Sequence, residues 1–229
     1  MIDIVFPKQN ESEFIKKAEF LGFDALCFVY GLKSAKEKRQ QLQKLQNETK
    51  IKLFLGILAE QKEIQKAKAF ADLVLVRTPQ NTQHTIEKEK PDIIFDLELN
   101  QQPDSMHFRA SGLNHVLCKA AANNQVIIAI SLNTILSAQN KQQNQQKIIG
   151  RITQNIMLCR KYKAQIAFAS FAEHPMQMRA ISELVAFAFV LGMNPTQAKQ
   201  SLNIIQARAE LNQKKKSWEW LAEGFEIIG

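Results

Sequence analysis

Four runs in this chain are apolar almost without interruption: IKLFLGIL from residue 51, DLVLVR from 72, VIIAIS from 126 and QIAFAS from 165. A strand with one wet face alternates apolar and polar residues, whereas a strand covered on both faces has no need to. Such runs point to a sheet enclosed by other elements, as in parallel α/β folds. Strands are predicted at Ile2–Phe6, Asp24–Tyr30, Ile51–Leu58, Asp72–Arg77, Asp92–Asp96, Val126–Ser131 and Gln165–Ser170. Amphipathic segments between them predict helices at Glu11–Leu21, Ser34–Glu48, Gln61–Ala71, Leu113–Asn123, Gln145–Tyr162, Glu183–Gly192 and Pro195–Asn203. Repeated β-α-β units require right-handed crossovers and a parallel sheet. Seven strands in 229 residues leave little room for a second core, which favours a barrel. Periodicity alone leaves its closure open.

Local chemistry sharpens some boundaries. Asn194-Pro195-Thr196-Gln197 supplies an N-cap, a proline at the first helical position and a glutamine at the third, so a helix should begin there. Gly192 is placed to end the preceding helix. Loops are expected at Asn100–Ser105 and Ala138–Asn144. Residues 1–203 read as one barrel domain. Residues 204–229, with Lys214, Lys215 and Lys216 ahead of Trp218 and Trp220, read as a basic and aromatic extension packed on it or trailing from it.

No run approaches the ~18 apolar residues of a membrane span, and MIDIVFPKQNESEF lacks the pattern of a secretory leader, so a cytoplasmic protein is expected. Cys27, Cys118 and Cys159 are unclustered and set in apolar surroundings, which suits buried thiols and neither a disulfide framework nor a zinc site. The net charge of +8 attracts polyanions, and nucleic acid is the common one inside cells.

Catalytic signals are sparse. The four histidines, His84, His107, His115 and His174, form no HxH or HExxH pair. Asp92 and Asp96 flank one predicted strand without a second acidic cluster, and the eight glycines are scattered singly. The sequence offers no autonomous active site.

Three stretches in the second half are more informative. In HFRASGLNHVLCK (107–119), Ser111 can cap a helix whose apolar face is Leu113, Val116, Leu117 and Ala120, with Arg109 and Lys119 beside it. In IGRITQNIMLCRKYK (149–163), Ile149, Ile152, Ile156 and Cys159 make a core stripe opposed by Lys147, Arg151, Gln154 and Lys161. The third, SFAEHPMQMR (170–179), precedes a helix that is apolar nearly all round.

Taken in order and spacing, RASGLNHVLCKAA, VIIAISLNTIL, NIMLCRKYKAQIAFASFA and MRAISELVAFAFVLGMNPTQAKQSL resemble the ribonuclease P protein component 3 family, also known as the RNase P p30 subunit family. The likeness is strong over residues 107–203 and rests on element order before that. It implies a TIM-barrel-like α/β fold related to the polymerase-and-histidinol-phosphatase metal hydrolases. It implies a subunit, in its short archaeal form, of the ribonucleoprotein that removes the 5′ leader of precursor tRNA. Catalysis would belong to the RNA, with magnesium serving that reaction and no cofactor or metal held by the protein. The partners implied are ribonuclease P RNA, protein component 2 and the other subunits, with precursor tRNA as the substrate of the whole. Two rivals stand beside this reading: a divergent phosphoesterase using His174 and carboxylates at the barrel mouth, and a purely protein-binding scaffold.

The related hydrolases open with Asp-x-His-x-His on the first strand; here Asp3-Ile4-Val5-Phe6-Pro7 has Val5 and Pro7 in the histidine places. Their last metal motif is matched by Ser170-Phe171-Ala172-Glu173-His174, which keeps a histidine and loses the aspartate and the spacing. Phosphate-facing charge is expected from Arg109, Lys119, Arg151, Arg160, Lys161, Lys163 and Arg179. A protein interface is expected on the outer face of the helix at 183–192, at Val185, Phe189 and Val190, because Leu184, Phe187, Ala188 and Leu191 already supply an inward stripe.

Overall fold

Seven parallel strands in sequential order, β1 (Ile2–Val5), β2 (Ala25–Gly31), β3 (Lys52–Leu58), β4 (Leu73–Arg77), β5 (Ile93–Phe95), β6 (Ile127–Ser131) and β7 (Ile166–Ala169), curl into a nearly closed barrel. The computed structural model describes residues 1–106, 109–140, 145–216, 220–222 and 225–226. Helices α1 (Glu11–Leu21), α2 (Ala35–Gln46), α3 (Ile64–Phe70), the single turn α4 (Thr82–His84), α5 (His115–Asn123), α6 (Leu132–Asn140), α7 (Gln145–Tyr162), α8 (Ile181–Val190) and α9 (Pro195–Lys215) surround it. Trp220–Ala222 and Phe225–Glu226 pair as a short antiparallel ribbon.

Strand alternation explains why the apolar runs are unbroken. One set of side chains, among them Ile4, Ala25, Cys27, Phe54, Leu75, Ile127, Ala129, Ala167 and Ala169, fills the barrel interior. The other, including Leu26, Phe28, Leu55, Val74, Ile128 and Phe168, packs under the helices. Both sets are buried, so nearly every strand position wants an apolar residue; Asp3 on β1 and Ser131 on β6 are buried exceptions that have hydrogen-bond partners. Many interior residues are small because a narrow barrel holds little volume. At Gly56 a Cβ would lie 2.8 Å from Cys27 Sγ and 3.0 Å from Val29 Cγ2, so a glycine fits where an alanine would press on its neighbours.

The seam between β7 and β1 is thin: a bridge from Val5 to Ala172, with the Phe6 N–H donating to the Ala172 carbonyl at 2.8 Å. Asp3 reinforces it. Its carboxylate accepts the Ser170 N–H at 2.7 Å and the Ser170 hydroxyl at 2.6 Å. Burial pushes the Asp3 carboxyl up to about 6, against the downward pull of the Ser170 and Ile4 hydrogen bonds.

The opposite, N-terminal end is stoppered by α9. Ile205 and Ala209 on that helix are buried among the inward-facing strand residues. Arg208 donates to the Gln125 carbonyl, and Asn212 donates to the Asp72 carbonyl and to Asp92 Oδ1, both at 2.9 Å. Those acceptors stand just before β6, β4 and β5.

All seven predicted strands are present, and α1 and α7 have the predicted ends. Two predictions need correction. The helix predicted to stop at Asn203 runs to Lys215, so a boundary at 203 falls inside α9; its buried residues Ala198, Ser201, Leu202, Ile205 and Ala209 keep helical spacing across that boundary. The loop expected at 138–144 is in part helix, since α6 covers Leu132–Asn140, started by Ser131 Oγ accepting the Thr134 N–H at 3.1 Å. That helix follows β6 without a break, which hid its start.

Candidate nucleic-acid interface

The C-terminal mouth of an α/β barrel is where catalytic groups usually gather. Here it is filled by aromatic rings. Phe95, at the end of β5, stacks on Phe171 with centroids 4.7 Å apart, and Phe6 lies 6.3 Å from the first and 6.2 Å from the second. Such contacts hold the mouth shut by about 0.5–1.5 kcal/mol per pair beyond simple burial. Val5 and Pro7 offer no metal donor. Among the described residues no three His, Cys, Asp or Glu side chains stand close enough together to hold an ion. His174 is exposed on the loop after β7, preceding a single 3-10 turn in which Gln177 Oε1 accepts the N–H of Glu173 at 2.8 Å and of His174 at 3.1 Å. Glu173 pairs with Lys8 at 3.0 Å. The donor set does not fit the metal centre of the hydrolases.

Beside the plug, Asp96 is buried and accepts from Arg77 Nε at 2.7 Å and from Thr134 Oγ1 at 2.6 Å. Glu98 is buried one turn further on, and its Oε1 has no hydrogen-bond partner. Burial above all, then the charge of Asp96, pushes the Glu98 carboxyl up to about 8. A proton on Glu98 at neutral pH is the physical consequence. An open cleft of about 1070 Å³ runs along the ends of β2–β4, lined by Lys33, Lys62, Arg77 and His84 but equally by Glu60, Glu63 and Glu89. Its charge is mixed, so it does not select an anion.

The positive charge lies elsewhere. Residues 105–172 contain eight Lys and Arg and no Asp or Glu. Setting those eight apart from the 30 basic residues leaves 22, which match the 22 acidic ones, so this stretch holds the whole net charge of +8. The run without carboxylates was readable in the sequence, and it marks α5, α7 and the segments before them more sharply than scattered basic residues do.

Six of the seven basic residues expected to face phosphate are exposed or half-exposed. Arg109 lies across α7: its main chain exchanges hydrogen bonds with Gln154 at 3.1 and 2.8 Å, and a Cβ on Gly150 would come within 1.8 Å of its guanidinium. Gly150 is therefore what lets Arg109 lie there. Lys119 on α5 and Lys161 on α7 stand 5.7 and 5.6 Å from the centroid of the Tyr162 ring, with His115 at 6.3 Å. Lys163 follows in a left-handed turn. Arg160 donates to the Gly192 carbonyl, tying α7 to the turn after α8, and Arg179 donates to the Met176 and Met178 carbonyls at 2.9 and 3.0 Å.

Arg151 is the correction. It is only 3% exposed, paired with Asp104 at 2.7 Å, and it donates to the carbonyls of Glu98 and Asn100 at 2.9 and 2.6 Å. It clamps the 98–104 loop and faces no solvent. A helical wheel puts it on the polar side of α7; the loop folding over that side buries it. Ser111 is a second correction, since the cap of α5 is Asn114, which accepts the Leu117 N–H at 2.9 Å, while Ser111 receives a bond from Gln154 at 2.8 Å. Gly112 makes this join possible: its φ is +79°, and a Cβ would stand 2.3 Å from the Leu97 carbonyl oxygen. His115 and Tyr162 were not among the expected site residues; they come together only when α5 packs on α7. His107 and Trp218 lie outside the described residues.

On α8 the two faces divide as expected except at Val185, which was expected on the outer face and packs against the core instead. Leu184, Ala188 and Leu191 are buried and Phe187 stacks on Phe168 at 6.1 Å, whereas Phe189 is 57% and Val190 76% exposed. Val185 is half-buried. Two neighbouring large apolar side chains in water are unusual for a helix of a monomer.

A family model described as RNase P subunit p30 matches residues 2–217. Ribonuclease P protein component 3 of Methanosarcina mazei is 29% identical over 120 residues, 52% of this chain and 49% of that protein. The protein of the same name from Methanocaldococcus jannaschii is 20% identical over 202 residues, 84% of this chain and 82% of the relative. The alignment to the former spans about half the relative's length. Among solved structures, a chain in the cryo-EM structure of archaeal ribonuclease P with mature tRNA superposes with a TM-score of 0.83 at 20% identity, over 100% of this chain and 98% of the other. A Xaa-Pro dipeptidase gives 0.58 at 11% identity, over 93% and 75%. At these identities the superpositions establish the barrel fold alone.

Proposed function

The chain belongs to the RNase P subunit p30 family, and from that premise we propose that it is a protein subunit of ribonuclease P, the ribonucleoprotein that removes the 5′ leader of precursor tRNA. Its part is to bind. The exposed cations of the acid-free stretch, Arg109, Lys119, Lys161 and Lys163, meet the phosphates of the ribonuclease P RNA, and Phe189 and Val190 on α8 meet protein component 2. Chemistry belongs to the RNA with its magnesium ions, and no catalytic group or metal is assigned to the protein. The observation that carries this reading is the segregation of the full net charge of +8 into residues 105–172. The rings of Phe6, Phe95 and Phe171 over the β1, β5 and β7 side of the barrel mouth support the binding role, because they stand where the metal-binding histidines of the related hydrolases would be needed, and the cleft at the ends of β2–β4 has a lining of mixed charge. Cytoplasmic residence is part of the proposal: no helix of the described residues is long and apolar enough to cross a membrane, and the three free cysteines are buried, as suits a reducing compartment.

Reconstitution tests it. The chain alone should leave precursor tRNA intact, and adding it to the RNA and the other subunits should raise 5′-leader cleavage. Binding to the RNA should fall steeply with salt. Cleavage by the RNA-free chain in the presence of a divalent metal would favour the phosphoesterase instead, and RNA binding indifferent to salt would favour the scaffold.

A further inference from the structure

We propose that Tyr162, with Lys119, Lys161 and His115 around it, forms a stacking platform for an unpaired nucleotide of RNA; this rests on the RNA-binding role proposed above. Backbone charge alone would make the basic face blind to RNA structure, since phosphates are presented by duplex and single strand alike. An aromatic ring changes that. Every base has a π-face, and a ring held at the surface among cations can stack on a base that is not buried in a helix.

Three observations converge on Tyr162. It is the last residue of α7, half-buried, with part of its surface packed against the core and the rest at the surface. Its anchored side fixes the ring, so little side-chain freedom is lost when a base arrives. Two ammonium groups lie over the ring at 5.7 and 5.6 Å and an imidazole at 6.3 Å, from two different helices. Lys119 and Lys161 are exposed, so each can swing from the ring to the phosphates that flank a stacked base. Finally, neither α5 nor α7 contains a carboxylate to compete for these cations. The turn at 85–89 packs against α5, and its two carboxylates have hydrogen bonds of their own: Glu87 accepts from Gln83 at 3.1 Å and Glu89 from Gln65 at 3.2 Å. Lys163 adds a further ammonium one residue beyond the ring.

The test measures binding of the full chain to a 12-nucleotide single-stranded oligouridine and to a 12-base-pair RNA duplex across a salt series. Tyr162→Leu keeps an apolar side chain of smaller size but removes the π-face; it should weaken single-strand binding on the order of 10-fold at fixed salt, leaving the salt slope and duplex affinity unchanged. Tyr162→Phe should bind as the parent does. Lys119→Ala with Lys161→Ala, both at exposed positions, should lower the salt slope by about one to two units on both probes. Unchanged single-strand affinity in Tyr162→Leu, or an equal loss on both probes, overturns the platform. Normal RNA binding by Tyr162→Leu combined with failure to assemble with the protein subunits also overturns it and gives the ring to a protein interface. A parent chain that binds neither probe in a salt-dependent way refutes the RNA-binding role itself, a distinct failure.

Discussion

Residues 1–104 and residues 105–172 contribute adjoining parts of one barrel, yet they handle charge in opposite ways. The first part carries 16 basic and 16 acidic residues, the second eight basic and none acidic. In the first part carboxylates hold the fold together. Asp72 accepts the Leu55 N–H and Asp92 the Val74 N–H, each at 2.8 Å, while Glu11 pairs with Lys38 at 3.0 Å and Asp72 with Arg39 at 2.9 Å. In the second part neutral groups perform the same tasks. Asn114 and Ser131 cap helices, and Gln154 and Asn155 tie α7 to the segment before α5. Asn and Ser cap about as well as Asp. The fold therefore has no need for the absence of acid; the absence leaves an uncompensated cationic surface, which is what a polyanion would select. Arg151 confirms the distinction from inside, because its charge is met by Asp104, just before the acid-free stretch begins.

The sharpest way to break this contrast is to neutralise each part in turn. Arg109, Lys119, Lys161 and Lys163 changed together to Gln should cost about 100-fold or more in RNA affinity at moderate salt and flatten the salt dependence by up to about four units. The matched change of Lys16, Lys44, Lys50 and Lys66 should alter affinity only a few-fold. Equal losses in the two sets would erase the proposed division of labour.

Next in size is Arg151→Ala, which leaves the 98–104 loop without its clamp. Thermal or denaturant unfolding should show a loss of about 3 kcal/mol, as for a broken buried pair. RNA affinity per folded molecule should hold, so a stability near that of the parent would return Arg151 to the surface group.

Glu98 belongs to the charge-balanced part but behaves as a neutral residue. Its carboxyl is pushed up to about 8, so the folded chain holds that proton more tightly than the unfolded chain does. Its contribution is complete below the unfolded value near 4.5 and declines as pH rises to about 8. Glu98→Gln should flatten this part of the stability–pH curve. A mutant whose unfolding free energy keeps the parent's slope between pH 5 and 8 would show that Glu98 is ionised in the fold.

Smallest in its effect on the chain itself is Phe189→Asp. With the side chain mostly in water, stability should move by less than about 0.5 kcal/mol, while assembly with the partner protein should weaken by about 2 kcal/mol or more. Pull-down or titration calorimetry against protein component 2 would read it directly; unaltered assembly would move the interface off α8.

Much of the fold was open to reading because each strand is buried on two sides, which writes itself as an unbroken apolar run. Four of the seven strands carry that signal outright, and the other three were placed by shorter apolar runs alternating with amphipathic segments. The inward and outward faces of α8 were also legible, since Leu184, Ala188 and Leu191 fall at helical spacing. Arg151 was misjudged because a helical wheel sees only its own helix, and the loop that covers this residue comes from about 50 residues earlier. The full reach of α9 was missed although Ile205 and Ala209 continue the helical spacing of Ala198, Ser201 and Leu202; that these two close the barrel end is a tertiary matter, since their partners are strand residues far away in the chain.

By itself the sequence determined a parallel α/β fold of seven strands, the lack of any HxH or HExxH pair and a net charge of +8. These properties depend on which residue types occur and at what local period. The tertiary structure alone decided which cations stay at the surface, which ring they surround and what stoppers the barrel, because those depend on distances between segments far apart in the chain. Tyr162 shows the difference most plainly: its neighbours Lys119 and His115 are more than 40 residues away in sequence and within 6.3 Å of its ring in space.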